Sequence, residues 1–571
     1  MLWFEREPER LRVELDALVE AGLRYEIDEA ERDSGRLVID VIRTLDGADH
    51  TFRVVYPQQF PHFPFSVIAP ESLRLARHIN RYARNLCLLA DVQQKWRDTD
   101  TAALFLTEQL DLLVFANRNP ESAADIEAHD AELVTGHIPY YGDSLLLTID
   151  PELPNGIDRG FLDIAWESTE VSRGELIAFR GAVLAVLDAD KNILAETSPE
   201  LRSRYQHARK FRGRWIRLPE PPKSLVKGAI LEEAIALWPE LKKPAFSGGP
   251  DIVALNVPEQ TEYRAEGHAW IPVVRQKFGR GQDSKSAIYA CRPDRAEYAN
   301  VQARNPHLKP LKEKTALVVG LGALGSMIAW QLARAGIGSL RLVDGDVVEI
   351  GNTPRWLLGI GAVGRGKANA LANYLALSFP YLSIDPEHIH QATIGDVNQK
   401  PSCDDALNVS FEEVDLIIDG SAEWCVSDYL STIALQRQIP FLWATATPGA
   451  YGGVVGRTMS DRTMGCWLCF QWALNDGTFP LPPEKEDGLI QPVGCAMPTF
   501  TGAAFDLDEI SIEGARLAVS TLLREYPDYP KVSWDVGICS LRDSNEAVIP
   551  PAWATFPLSR HPRCICNDDS R

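Results

Sequence analysis

At 571 residues the chain is too long for one core and should divide into about three or four domains, each burying its own apolar surface. Lys plus Arg number 58 against 79 Asp plus Glu, and the formal charge of −21 opposes attraction to phosphate backbones and anionic membranes, setting aside nucleic acid and membrane as partners. The opening "MLWFEREPERLRVELDALVEAG" is charged from its fifth residue and lacks a signal's apolar region; a cytoplasmic location is expected, where the ten cysteines serve metal or catalysis rather than disulfides.

That opening reads as an amphipathic helix. Alternation from Leu37 predicts a strand, a turn at Asp46-Gly47 and a second strand, followed by the Pro/Phe-rich "YPQQFPHFPF". Cys87 follows in "HINRYARNLCLL", either as a nucleophile or as a small core hydrophobe; its immediate surroundings leave both readings open. Helical spacing returns in "TDTAALFLTEQLDLLVFANRN", with Thr99 or Asp100 as its cap. This α+β domain is assigned residues 1–144.

Residues 145–303 mix strand-like runs such as "RGELIAFRGAVLAVLDADKNILAE" with a helix around "LVKGAILEEAIALWPEL" and a polar loop at "FGRGQDSKS", a mixed α/β connecting domain without a defensible motif. From Lys314 the pattern becomes βαβ, and "VDLIIDG" and "IPFLWATA" add further buried strands, so residues 304–571 form an α/β Rossmann-like domain on a largely parallel sheet. The longest charge-free run, Gln438 to Gly456, holds two prolines and a glycine cluster and reads as strand, turn, strand rather than a membrane span.

Gly320, Gly322 and Gly325 form G-x-G-x-x-G at a strand-to-helix junction, and Asp344, about twenty positions on, stands where a ribose hydroxyl is held. That signature alone favours NAD. Asn352, Arg355 and Lys367 follow closely, and two fixed cations beyond the glycine loop suit ATP and the charge that develops when its α-phosphate is attacked. Gly361 to Lys367 also spells G-x-x-x-x-G-K, but Ala368 replaces the Mg²⁺-binding hydroxyl residue and no strong apolar strand precedes it, so a P-loop is rejected.

"GLGALG", "VDGDVVEIGN", Arg355, Lys367 and "DLIIDG" together resemble the ubiquitin-activating superfamily, with its ThiF/MoeB-type adenylating enzymes, over about residues 305–571. The resemblance implies a homodimer that uses ATP and Mg²⁺ to adenylate the C-terminal glycine of a β-grasp protein. Ala422 stands where the family has a magnesium-binding Asp, leaving Asp419 or Glu423 for that role, and Arg304 stands where members lend an arginine to the partner subunit's ATP. "GCWLCF" supplies Cys466 and Cys469 and "HPRCICN" supplies Cys564 and Cys566, four thiolates able to close a tetrahedral Zn²⁺ site, with His561 in reserve. Cys495, in "QPVGCAMPTF" outside both pairs, is the expected acceptor of the adenylated carboxylate.

With an activating domain downstream, "YPQQFPHFPF", "HIN", "NLCLL" and Trp96 are similar to the ubiquitin-conjugating fold, with Ile79 in place of the usual proline. Cys87 is then the second thioester carrier and Asn80 the donor to the oxyanion formed when a target amine attacks. The whole order resembles bacterial fusions of conjugating-like and activating-like domains in anti-phage CBASS operons and related ubiquitin-like cassettes. The implied partners are a modifier with a C-terminal glycine, either a cyclic nucleotide synthase or a β-grasp protein, and a target protein. Two rivals are sulfur-carrier activation for cofactor synthesis and an opening domain that only recruits a partner.

Overall fold

A computed structural model describes residues 2–89, 95–120, 131–149, 153–154, 156–170, 178–246, 250–278, 285–396, 408–459, 464–491 and 499–567. The chain forms two compact units, Met1–Thr197 with His207–Ala296, and Ser198–Gln206 with Glu297–Arg571. Residues on either side of position 144 therefore share one unit, while the second begins at Glu297 and takes in a short segment from the middle of the chain.

In the first unit, strands Arg24–Ile27, Val38–Leu45, Ala48–Val55 and Ser66–Ile68 pair consecutively and antiparallel. The hairpin turns on Asp46 (φ 52°) and Gly47 (φ 79°), the doubly left-handed turn that an Asp-Gly pair favours. The opening helix is split into Trp3–Arg6 and Pro8–Glu20. Its buried Glu14 accepts hydrogen bonds from the Tyr56 hydroxyl (2.9 Å) and the Ala102 N–H (3.0 Å) and pairs with Arg10; burial pushes this carboxyl up, and the three partners oppose that without cancelling it. The later helical run starts one residue beyond the expected cap: Thr101 caps Ala102–Leu104, which continues through a π turn at Phe105–Gln109 into Leu110–Arg118.

The rest of the unit is a nine-stranded sheet centred on Arg159–Glu170, Arg209–Arg217, Asp251–Glu262 and Ala265–Phe278. Along Asp251–Glu262, Ile252 and Ala254 enter one core and Val253, Leu255 and Val257 another, the alternation of a strand covered on both faces. The expected helix around "LVKGAILEEAIALWPEL" is divided into a 3₁₀ turn Lys227–Leu231, the helix Glu232–Leu237 and a second 3₁₀ turn Pro239–Lys242, with Pro239, which cannot continue the helix, opening the last. Of the expected polar loop, residues 279–284 lie outside the described set.

The second unit is built on an eight-stranded sheet, beside which Leu489–Ile490 and Thr499–Phe500 form a separate pair. Ile389–His390, Ser339–Val343, Thr315–Val319, Leu416–Asp419 and Phe441–Ala446 run parallel in that order, and Gly452–Thr458, Val536–Arg542 and Val548–Phe556 extend the sheet antiparallel. Ala316 and Val318 pack beneath helices Ala323–Ala335 and Ala504–Leu522, whereas Leu317 and Val319 face Trp424–Arg437 and Trp467–Asn475. Thr315–Val319 lies between Ser339–Val343 and Leu416–Asp419, so the chain leaves it in one direction and returns on its other side; the carboxyl ends of these strands flank a crevice. Among the described residues no helix is long and apolar enough to cross a membrane.

Candidate functional site

A cleft of about 140 Å³ opens at that switch point, lined by Gly320, Gly322, Asp344 and Lys367 together with Asp346, Thr393, Ser421 and Glu423. Gly320 takes φ 78°, and a Cβ on Gly325 would lie 1.9 Å from the Gly320 carbonyl oxygen, so only glycine lets the helix approach the turn. Gly322 has open space around it, room for a phosphate to approach the backbone. Asp344 accepts the Leu321 N–H at 2.6 Å and the Asp346 N–H at 2.7 Å; burial pushes its carboxyl up, and Lys367 and these amides oppose that. Lys367, 9% exposed, reaches Asp346 at 2.8 Å.

Of the other expected residues, Glu423 lines the cleft, whereas Asp419, Arg355, Asn352 and Arg304 are not among its lining. Asp419 is buried at the end of its strand, where one oxygen accepts the Ser421 N–H (2.9 Å) and hydroxyl (2.6 Å) and the other accepts the Ser427 hydroxyl. Both its oxygens are engaged, whereas Glu423, two residues past Ser421, joins Asp344 and Asp346 as a carboxylate on the cleft wall. Arg355 donates to the Phe500 carbonyl (2.5 Å) and the Thr499 hydroxyl (2.9 Å) and lies over the Phe500 ring. Asn352 accepts the Glu349 N–H at 2.9 Å, and Arg304 is exposed. Asp346 was open to sequence reasoning as the second acid of "VDGD"; Thr393 and Ser421 carry no such signal.

In the first unit, Cys87 is exposed and lines a cavity of about 570 Å³ with His78, Asn80, Glu132 and His137. Its N–H donates to the His78 carbonyl at 2.8 Å, and Ile79 bridges Leu86, so the triplet and the cysteine face each other across a short hairpin. The Asn80 side-chain oxygen accepts the N–H groups of Tyr82 (2.9 Å) and Ala83 (2.8 Å). That fixes the amide plane and leaves its NH₂ without a partner among the described residues, a donor available to an oxyanion. Trp96 donates to the Pro61 carbonyl at 2.8 Å and packs edge-on against Phe65, supporting the Pro/Phe-rich segment.

Cys466, Cys469, Cys564 and Cys566 bring their sulfurs within 4.8 Å of one another. The Cys466–Cys469, Cys466–Cys564 and Cys469–Cys566 separations are 3.8, 3.5 and 3.3 Å. Zn–S bonds of about 2.3 Å set tetrahedral sulfurs about 3.8 Å apart, so this donor set fits zinc. The Cys469 thiol is held below the ordinary thiol range by the Cys466 thiol and by the His561 N–H, which donates to it at 3.2 Å. The His561 ring instead meets Asp476 at 2.8 Å, so four sulfurs make the set without it. Cys495 falls at 492–498, outside the described residues.

Residues 297–502 match the ThiF family and residues 19–133 match Prokaryotic E2 family B, so the chain joins an E2-like domain to a ThiF Rossmann-like α/β domain. It is 30% identical over 559 residues to the uncharacterized protein y4oA of Sinorhizobium fredii, covering 93% of this chain and 92% of that one. Against y4qC of the same organism it is 31% identical over 574 residues, covering 96% and 94%. The chain belongs to the family of these two proteins. It is also 26% identical over 220 residues to the ATP-dependent ubiquitin transferase-like protein Cap2 of Enterobacter hormaechei, 36% of this chain and 32% of that one. The E. coli MccB crystal structure aligns with a TM-score of 0.35 at 16% identity, covering 48% of this chain and 73% of that one.

Proposed function

We propose that the chain is an ATP-dependent protein-conjugating enzyme that activates the C-terminal glycine of a modifier and joins it to a target amine. The observation that carries this is one chain holding both a glycine-loop cleft with a buried lysine in a ThiF domain and an exposed cysteine sharing a cavity with the Asn80 amide in an E2-like domain. ATP lies along the loop of Gly320, Gly322 and Gly325, with Asp344 bracing that loop near the ribose and Lys367 on the phosphates. Lys367 exchanges Asp346 for the nucleotide when ATP enters. Glu423 would hold Mg²⁺, which would supply positive charge to offset that of the departing pyrophosphate. Arg355 and Asn352 order the surrounding loop. Cys466, Cys469, Cys564 and Cys566 would hold zinc, which would supply a cross-link between the tail and the start of the helix Trp467–Asn475.

The modifier's carboxylate oxygen bonds to the α-phosphorus as pyrophosphate leaves. The Cys495 thiolate then takes the acyl carbon from AMP, and the Cys87 thiolate takes it from Cys495. A target amine attacks this second thioester, and the Asn80 NH₂ donates to the oxyanion. A cytoplasmic homodimer, with a cyclic nucleotide synthase or a β-grasp protein as modifier in an anti-phage or related cassette, completes the reading.

The test is calorimetry on the full chain with ATP and Mg²⁺ against NAD, followed by gels with ATP and the proteins encoded beside its gene. ATP binding and a reductant-sensitive adduct on Cys87 are expected. NAD binding without ATP binding overturns the reading, and a thiocarboxylate on the modifier in place of an amide product assigns the chain to sulfur-carrier activation.

A further inference from the structure

The cavity around Cys87 is built from two chain segments, and a third, the strand Asp251–Glu262 of the nine-stranded sheet, binds them to each other. One wall is the hairpin that carries His78 and Cys87; the other holds Glu132 and His137. A single oxygen of Gln260 accepts from both sides, from the Arg77 guanidinium at 2.8 Å and from the Glu132 N–H at 3.1 Å. Beside it, one oxygen of Glu259 accepts the Thr135 N–H at 2.6 Å and the Thr135 hydroxyl at 2.7 Å. Arg77 and Glu259 are 8% and 9% exposed, so these bonds are made where water competes poorly.

The staple acts directly on the reacting end. Glu132 accepts the His78 N–H at 2.7 Å through one oxygen, and its other oxygen has no partner among the described residues. His78 is held at φ 60°, a left-handed conformation that a side-chain-bearing residue keeps only where its surroundings impose it. Here the constraints are the Glu132 carboxylate on its N–H and the Cys87 N–H on its carbonyl.

We propose that the middle sheet is a working part of the conjugating site, with Gln260 and Glu259 as positioning residues that hold Glu132 against the Cys87 hairpin, where its second oxygen receives the target ammonium. This rests on the reading of Cys87 as a thioester carrier. The ammonium gives one proton to Glu132, and its nitrogen then bonds to the thioester carbon. The carbon–sulfur bond breaks, Cys87 leaves as thiolate and takes the second proton from nitrogen, and Glu132 returns its proton to solvent.

Two measurements on the full chain test it. Hydrogen exchange over residues 131–137 should quicken about tenfold in Gln260→Ala and in Glu259→Ala, and return toward the unsubstituted rate in Gln260→Glu and Glu259→Gln, which keep the accepting oxygens. Discharge of a preformed Cys87 thioester to free lysine should slow about tenfold in the alanine variants relative to their own rate of Cys87 charging, chiefly in kcat, and recover in the conservative ones. A loss spread equally over charging and discharge overturns the proposal, and so does unaltered exchange. A full chain that never acquires a reductant-sensitive adduct on Cys87 defeats the conjugating reading instead, and the exchange result still decides whether Gln260 and Glu259 hold this wall.

Discussion

At the scale of single residues, Asn80 serves the hairpin through its oxygen and the proposed chemistry through its nitrogen. Asn80→Asp separates the two, because a carboxylate still accepts the Tyr82 and Ala83 N–H groups but has nothing to donate. Cys87 should still charge, and single-turnover discharge to lysine should slow by about 10²- to 10³-fold. Asn80→Ala should also loosen the turn, visible as faster exchange of those two amides. A similar contrast separates two carboxylates of the activating domain. Glu423→Gln should weaken Mg²⁺-dependent pyrophosphate exchange while leaving Tm unchanged, since Glu423 lines the cleft. Asp419→Ala should cost about 1–3 kcal/mol of stability, read by denaturant titration, because it orphans the buried Ser427 hydroxyl and the Ser421 N–H.

At the scale of elements, the glycine loop shows why spacing alone marks a site. A Cβ on Gly325 meets the Gly320 carbonyl oxygen, so Gly325→Ala should lower Tm and abolish ATP binding together. Gly322→Ala meets nothing within 4 Å and should keep Tm while weakening ATP binding in calorimetry. The four-cysteine set makes a further element: elemental analysis should find about one zinc per chain, and chelation should lower Tm. A metal-free chain of unaltered Tm would count against that site. These features were legible because their residues lie close in sequence or in fixed motifs, as was the Asp46-Gly47 hairpin. The helix cap was misplaced because Thr99, Asp100 and Thr101 all have capping side chains and only the packed backbone selects Thr101. Glu132 and His137 left no trace at all, since only tertiary packing brings them to a cysteine more than forty positions earlier. The middle sheet was legible only as separate strands, such as Ala178–Asp188 and Ile193–Glu196 within the run read as strand-like; that its strand Asp251–Glu262 pairs parallel with Arg209–Arg217 is a contact that no local pattern encodes.

At the scale of the whole molecule, the relay makes an ordered prediction. Cys87→Ala should leave a reductant-sensitive adduct on Cys495 and abolish amide products, whereas Cys495→Ala should prevent both adducts yet spare pyrophosphate exchange. Normal charging of Cys87 in Cys495→Ala would mean direct transfer from the adenylate. The backbone also passes between the two compact units three times, after Thr197, after Gln206 and after Ala296. The excursion carries the helix Pro199–Arg204, capped by Ser198, and Ser198 also hydrogen-bonds Tyr381 of the second unit. Cleavage at Ala296 alone therefore leaves residues 198–206 as a peptide arm lodged in the other fragment. A gene split at that same point would encode an adenylating half missing one of its own helices. A single recombination breakpoint after Ala296 would therefore carry off an adenylating-like half without one of its helices, so exchanging that half intact would take more than one crossover.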